Sequence, residues 1–252
     1  MPLRAIAVPF LLLGFANAAA EETHQPFSGE ASAPNWSGFY AGVHGGFGKS
    51  STNWGFPFLE YYNTAPGQSF SIDPKGSVVG GHLMVNRQFG RIVVGLEGAL
   101  SNATFRDDRL GPVPAFPEDQ FKTNIDNLAT ISGRLGYGFD KWLLYAKGGY
   151  ATAEVAHHAL SGPPGAGVEG ATQGRQNGGT VGAGVEYMIT PTIVLGLEYQ
   201  FVKLGDERHA TTTTGTLPGA PFTVDADDIA LHAVTARLTV KLGDWYQSKS
   251  LK

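Results

Sequence analysis

A strict alternation of apolar and polar residues constrains the fold of this chain more than any other feature. Even positions are apolar and odd positions are polar throughout 234–242, and the same period of two runs through 131–139 and 181–187. A helix would scatter these apolar side chains around its circumference, whereas an extended strand places all of them on one face. The alternation therefore predicts β-strands that have one apolar and one polar face.

The connections between these runs alternate between short and long. Short turns at 88–91, 139–141 and 189–192 contain the Gly, Pro and Asp residues that tight reversals use. Long polar stretches separate the hairpins, at Lys49–Lys75, Arg106–Asn124, His157–Arg175 and Asp206–Asp225. With a first run at Trp36–Gly48 and a last run at Ala230–Leu242, these connections delimit eight strands.

This arrangement of strands predicts a membrane protein. An even strand number, with short connections at one end and long ones at the other, is typical of barrels in the bacterial outer membrane. Each strand has about ten residues, which is enough to cross the hydrocarbon at a tilt. We therefore predict an all-β fold, an eight-stranded antiparallel transmembrane β-barrel with short periplasmic turns and four long extracellular loops. We expect an integral outer-membrane protein with both termini in the periplasm.

The N-terminal segment has the features of a secretory signal peptide. Arg4 precedes the apolar stretch Ala5–Phe15, which is too short to span a bilayer, and small residues follow it. We expect a signal peptide at 1–20, a periplasmic tether at 21–35, the barrel at 36–246 and a C-terminal tail at 247–252. The net charge of −4 gives no reason to expect nucleic acid as a partner.

The polar parity of the strands carries charged residues that should point into the barrel. The expected lumen charge network consists of Glu97, Arg134, Lys147, Glu186, Glu198, Arg237 and Lys241. His44 and His82 share this parity on the first two strands. An eight-stranded barrel is just wide enough for side chains to fill it, so these charges should pair and close the lumen. The alternative is a narrow, low-conductance pore lined by the same charges.

Aromatic residues lie mainly at the ends of the predicted strands. Two interface belts are expected from Trp36, Phe89, Phe139, Trp142, Tyr150, Tyr187, Phe201 and Trp245. A second aromatic group falls in the first long loop, at Trp54, Phe56, Phe58, Tyr61 and Tyr62. This loop interaction patch either extends the strands above the membrane or contacts a host surface, another protein or haem.

The sequence offers little that would support catalysis. His157 and His158 open a long loop near Ser161, but adjacent residues of an extended chain point in opposite directions. We expect no enzyme activity, no catalytic or metal site and no cofactor. The expected partners are outer-membrane lipid, lipopolysaccharide and the barrel-insertion machinery, with a host surface or haem at the loops.

Three segments resemble the small outer-membrane β-barrel surface proteins of alphaproteobacteria, which are often called porin-family or outer-membrane immunogenic proteins. They are Asn35–Gly42, the central hairpin from Gly133 to Tyr145, and the third hairpin from Gly184 to Gly205. The resemblance implies an eight-stranded OmpA-type barrel that supports envelope integrity and often contacts a host. Some members are linked to haem binding, although no motif here carries that property over.

One departure from this family concerns the end of the chain. Family members usually end on an aromatic residue that closes the last strand, whereas this chain continues past Leu242 to Lys252. We expect that either Trp245 or Tyr246 serves as the terminal aromatic, followed by a short periplasmic tail, or assembly of the barrel is less standard.

Overall fold

The fold is that of a computed structural model, which describes residues 34–56, 68–110, 120–160, 168–205, 207–212 and 221–244. Side chains are described for 34–51, 71, 73–107, 124–156, 174–205 and 229–244. Several predictions concern positions outside the described residues, namely the signal peptide, the tether up to residue 33, the tail, Phe58, Tyr61, Tyr62, Ser161 and Trp245. The same holds for the side chains of Trp54, Phe56, His157 and His158.

The described residues form eleven strands. They are β1 (Gly38–Phe56), β2 (Gln68–Ile72), β3 (Lys75–Phe89), β4 (Ile92–Ala103), β5 (Phe105–Leu110), β6 (Gln120–Phe139), β7 (Trp142–Leu160), β8 (Val168–Met188), β9 (Ile193–Leu204), β10 (Glu207–Thr212) and β11 (Pro221–Gly243). Eight of them pair antiparallel in the order β1-β3-β4-β6-β7-β8-β9-β11, and β11 pairs with β1 to close the barrel. The predicted eight-stranded antiparallel barrel is confirmed.

The three remaining strands lengthen the barrel wall at one end. β2 pairs with the last five residues of β1, β5 pairs with β6, and β10 pairs with β11. The opposite end has only short turns, in which Gly90 and Asp140 adopt positive φ angles of 61° and 45°. Gly and Asp tolerate this left-handed backbone better than most residues, which explains their place in the turns.

The strands continue well into the four polar stretches that were predicted to be long loops. β6 and β7 pair antiparallel from Phe139↔Trp142 to Gln120↔Leu160, with one register shift between Asp126 and Ala129. About ten residues suffice to cross the hydrocarbon, so the half of this hairpin away from the short turn extends beyond it. Polar, Thr- and Gly-rich segments weaken the alternation without preventing strand pairing. The strands therefore continue further into these segments than predicted.

The alternation changes phase where a strand leaves the apolar belt, which is the band of outward-facing apolar side chains around the barrel. On β9 the outward residues up to Phe201 are apolar, but Lys203 then points outward while Val202 and Leu204 are buried inside. β4, β7 and β11 change in the same way. Below this level the outside is lipid, so apolar side chains face outward; above it the outside is water, so they face inward. The phase change marks the outer edge of the apolar belt.

The interior has three layers. The turn end is filled by the apolar residues Trp36, Tyr40, Met84, Val93, Leu143, Met188 and Val194. The far end holds a larger apolar cluster of Val78, Ala103, Phe105, Ile125, Leu128, Ala151, Ala153, Val155, Val202, Leu204, Ile229, Leu231 and Ala233. A polar, charged layer lies between them. Within the described residues, no helix is long and apolar enough to cross a membrane.

The prediction that Trp36 is an interface aromatic is wrong. Its side chain is only 1% exposed and lies in the apolar cluster at the turn end. Its backbone N–H donates to Gln88 Oε1 at 2.7 Å, and its carbonyl accepts a 3.0 Å hydrogen bond from Tyr40 Oη. Trp36 precedes β1, so the parity of the strand does not fix its direction, and the indole fills the mouth of the barrel.

Candidate functional site

The middle layer of the interior takes one titratable side chain from each barrel strand. In barrel order they are His44, His82, Glu97, Arg134, Lys147, Glu186, Glu198 and Arg237. The six carboxylate and cationic residues are each at most 6% exposed. Each occupies an inward-facing position of its strand. The alternation of side chains along the strands therefore places all of them in the same narrow space.

Glu97 on β4 is the centre of this layer. Its carboxylate accepts hydrogen bonds from Lys147 Nζ at 2.8 Å and from Arg237 Nη2 at 2.6 Å. Arg134 Nη1 lies 3.7 Å from Glu97 Oε2. One buried acid therefore faces three cations that come from β6, β7 and β11.

Glu198 on β9 shares two of these cations. Lys147 Nζ lies 2.8 Å from Glu198 Oε1, and Arg237 Nη1 donates to Glu198 Oε2. Tyr145 Oη donates to the same oxygen, Glu198 Oε2, at 2.6 Å. Lys147 and Arg237 thus bridge two carboxylates across the lumen.

Glu186 and Arg134 complete the network. Arg134 Nη2 donates to Glu186 Oε2 at 2.9 Å, and its guanidinium lies 4.0 Å from the centre of the Tyr145 ring. The Tyr145 ring therefore packs against Arg134 while its hydroxyl holds Glu198. Tyr145 was not predicted to be part of the network, although its odd position on β7, between Leu143 and Lys147, faces inward.

The two histidines belong to a separate hydrogen-bonded chain beside the charges. His44 Nδ1 and His82 Nδ1 are 3.3 Å apart, and the rings are stacked with centroids at 5.5 Å. His44 Nε2 contacts Ser101 Oγ at 2.8 Å, and His82 Nε2 contacts Thr239 Oγ1 at 2.9 Å. This chain covers the part of the lumen wall that β1 and β3 provide.

Lys241, predicted to join the network, does not. Its Nζ lies 2.5 Å from Asp244 Oδ1 and donates to the Asn35 carbonyl at 2.8 Å, at the turn end of the barrel. Lys241 is the last inward position of β11, so its long chain reaches the barrel mouth instead of the central layer. Without it, three carboxylates face three cations, and the layer is neutral when the histidines are neutral.

Glycines on the inward parity make room for the long side chains. A Cβ on Gly184 would lie 2.6 Å from Tyr145 Cζ, and one on Gly196 would lie 3.0 Å from Glu186 Cγ. At these glycines the long side chains thus pack directly against the backbone of the neighbouring strands. The layer is therefore tightly packed against the barrel wall.

The other predicted interface aromatics that the structure describes lie on the outer wall. The exposed interface aromatics are Phe89, Phe139, Trp142 and Tyr150. Tyr187 packs on Trp142 with ring centroids 4.7 Å apart, and Phe201 packs on His232 at 4.9 Å. Of the predicted loop patch, Trp54 and Phe56 lie within β1, where each pairs with β2. These two residues therefore extend a strand, as one of the two interpretations expected.

Among the residues that the structure describes, no group of three or more His, Cys, Asp or Glu side chains could hold a metal ion. The geometry that the layer does show is that of an internally paired barrel interior. Such an interior fixes the eight strands to one another.

Comparison with known proteins places this barrel in a family. The family model of the outer membrane protein β-barrel domain matches residues 6–241. The chain belongs to this family. The resemblance inferred from the sequence is confirmed, and so is the outer membrane as the location of the barrel.

The 31 kDa outer-membrane immunogenic protein of Brucella melitensis is 24% identical over 193 residues, which cover 75% of this chain and 80% of the relative. Two solved structures are also similar. OprG from Pseudomonas aeruginosa has a TM-score of 0.46 at 12% identity and covers 82% of this chain and 97% of its own. The outer membrane protease OmpT from Escherichia coli has a TM-score of 0.44 at 11% identity and covers 84% and 99%.

Proposed function

We propose that this protein is a structural and surface-interaction barrel of the outer membrane, with a closed lumen and with hairpins that extend beyond the outer surface. It supports the integrity of the envelope and presents its hairpins and loops to partners. The short turns face the periplasm. One observation carries this proposal: a buried apolar cluster, in which no side chain is more than 3% exposed, lies in the lumen on the side of the charged layer away from the short turns.

The layers make the alternative, a narrow pore, unfavourable. An ion that crosses the barrel must pass the outer apolar cluster and the cluster around Trp36. Moving a charge into an apolar environment without a partner costs several kcal/mol at least. Most charged atoms of the middle layer pair with one another, so a passing ion would have to compete with these pairs.

Ion conductance in planar bilayers tests the closed lumen. The wild-type barrel should show no steady current, whereas a variant that empties both apolar layers, Trp36→Ala with Phe105→Ala and Leu231→Ala, should show one. Leu96→Ala, on the lipid-facing wall, is the matched control and should stay closed. A steady current through the wild-type protein would overturn the closed lumen and establish the pore.

Epitope insertion on intact cells tests the orientation. An epitope within 161–167, between β7 and β8, should be labelled without permeabilisation. An epitope between Asp140 and Lys141, in a short turn, should be labelled only after the outer membrane is opened. The reverse pattern would show that the barrel is inserted the other way.

The aromatic loop residues beyond β1 are the proposed contact for a host surface or haem. Phe58, Tyr61 and Tyr62 follow β1 directly in the sequence, and aromatic residues are enriched at protein contacts. Replacing all three by Ser should lower adhesion to host cells or haem binding. The same changes at Phe39, Leu83 and Leu96 on the lipid-facing wall are the control for general damage. Unchanged adhesion and haem binding would remove this proposal.

A further inference from the structure

His44 and His82 connect four neighbouring strands from inside the barrel. His44 lies on β1, and its Nε2 is 2.8 Å from Ser101 Oγ on β4. His82 lies on β3, and its Nε2 is 2.9 Å from Thr239 Oγ1 on β11. The two Nδ1 atoms are 3.3 Å apart. These four residues, which we call the histidine bridge, therefore span the pairing of β1 with β11 that closes the barrel.

Two glycines make room for the imidazole rings on the barrel wall. A Cβ on Gly42 of β1 would lie 2.5 Å from His82 Nε2, and one on Gly80 of β3 would lie 2.8 Å from His44 Nε2. Each ring thus packs over the backbone of the strand that carries the other histidine. His82 is buried and His44 is partly buried. The histidine bridge is therefore held between the barrel wall and the charged layer.

The bridge suits neutral imidazoles and excludes a pair of imidazolium ions. A neutral imidazole has one N–H donor and one acceptor nitrogen. One Nδ1 then donates to the other, and each Nε2 exchanges a hydrogen bond with a hydroxyl, so all four ring nitrogens have a partner. In an imidazolium both nitrogens are donors. Two imidazolium rings would therefore point two N–H groups at each other across 3.3 Å.

The charges around the bridge are already balanced. The charged side chains that influence the two rings electrostatically are Arg237 from β11, Glu97 from β4, Lys147 from β7 and Glu198 from β9. The remaining members of the layer, Arg134 from β6 and Glu186 from β8, bind each other. Three carboxylates thus face three cations, and each proton added to the bridge makes the layer positive. Such an unbalanced charge is strongly unfavourable where it is buried.

We propose that the histidine bridge makes the closure of the barrel sensitive to acid. At neutral pH both rings are neutral, and the bridge connects β11 to β4 across β1 and β3. In acid the unfolded chain binds protons at these histidines that the bridge cannot hold. Acid therefore weakens the connection between the first and last strands. This inference goes beyond the closed barrel and holds whichever end of the barrel faces the cell exterior.

The size of the effect follows from the protons that the folded and unfolded states bind. Stability falls toward acid wherever the unfolded chain binds more protons than the folded barrel. A free histidine has a pKa of about 6.5. Between pH 7.5 and pH 5.0 the equilibrium constant for unfolding should therefore rise roughly 30-fold for each histidine that the barrel keeps neutral. If the bridge accepts a single proton, the rise should still be at least about tenfold.

Urea unfolding in lipid vesicles at pH 7.5 and at pH 5.0 tests the proposal. The rise of the unfolding constant toward acid should be at least about tenfold smaller in His44→Asn with His82→Asn than in the wild-type barrel, because these two positions then bind no protons in either state. His232→Asn is the matched control. His232 lies on the outer wall beside Tyr199 Oη, 2.7 Å from its Nδ1, and its replacement should keep the wild-type pH dependence.

Nitrogen-15 NMR of the histidine rings in the wild-type barrel decides the matter even if the double variant fails to fold. A neutral ring gives two unlike nitrogen signals, whereas an imidazolium gives two similar ones. At pH 5.0 at least one ring of the bridge should be neutral. If both rings are imidazolium in a barrel that migrates as folded on unheated gels, the proposal is refuted. It also fails if the double variant and the wild-type barrel lose equal stability toward acid. Neither result affects the closed lumen, which the conductance measurement tests separately.

Discussion

Neutralising one buried acid should destabilise the barrel strongly. In Glu97→Gln the shape of the side chain is kept, but the carboxylate that faces Lys147, Arg237 and Arg134 at 2.6–3.7 Å loses its charge. The balance of three acids against three cations becomes an excess of one positive charge in a layer that is almost fully buried. Breaking a buried ion pair by removing one partner typically costs 3–5 kcal/mol. We therefore expect the free energy of unfolding to fall by about 4 kcal/mol.

A second variant separates charge balance from the loss of contacts. Glu97→Gln combined with Lys147→Met restores neutrality and replaces the buried ammonium by an apolar chain of similar length. Replacing a buried ion pair as a whole is often close to neutral. The double variant should therefore regain at least half of the stability that the single variant loses.

Urea unfolding in vesicles of one lipid composition, followed by tryptophan fluorescence, measures both effects. Arg175→Gln is the matched control, because its partner Glu154 is in an exposed ion pair that should contribute little. The reasoning is refuted if Glu97→Gln costs less than about 1 kcal/mol, or if the double variant is less stable than the single one. Either result would mean that water screens the layer.

Two further predictions concern the two faces of the wall. Gly184→Ala should cost about 1–3 kcal/mol, because its Cβ would lie 2.6 Å from Tyr145 Cζ, whereas Gly98→Ala, with open space around it, should be nearly neutral; equal urea midpoints would contradict the packed lumen. Leu96→Arg, in the middle of the lipid-facing belt, should cost about 2–4 kcal/mol and Phe47→Arg, near its edge, at most about 1 kcal/mol; the same vesicle assay compares them, and a larger loss at Phe47 would contradict the position of the belt.

The strand pattern and most of the charged layer could be predicted from the sequence, because parity on a strand fixes the side of a sheet. Arg134, Lys147 and Arg237 lie inside for that reason alone. Lys241 and Trp36 were misplaced because they lie at the mouth of the barrel. There, the reach of a long chain and the path of the backbone before β1 decide where a side chain goes.

The apolar seal at the outer end was missed for a different physical reason. On β11, apolar residues occupy the even positions from Leu242 back to Val234, and the odd positions at Ala233 and Leu231. In a soluble protein such a change suggests the end of a strand or a bulge. Here the change occurs within one continuous strand, because the surroundings of the strand change from lipid to water. A prediction that keeps one parity along the whole of β11 does not find this change.

One consequence of the charged layer concerns the assembly of the barrel. Arg237 and Glu97 lie 140 positions apart in the chain, and their other partners are spread over three further strands. No partial sheet can match every charge, so a half-formed intermediate would present bare ions to lipid, at a cost of several kcal/mol each. The layer thus favours complete assembly: the charges are all paired only once the last strand has paired with the first and closed the barrel.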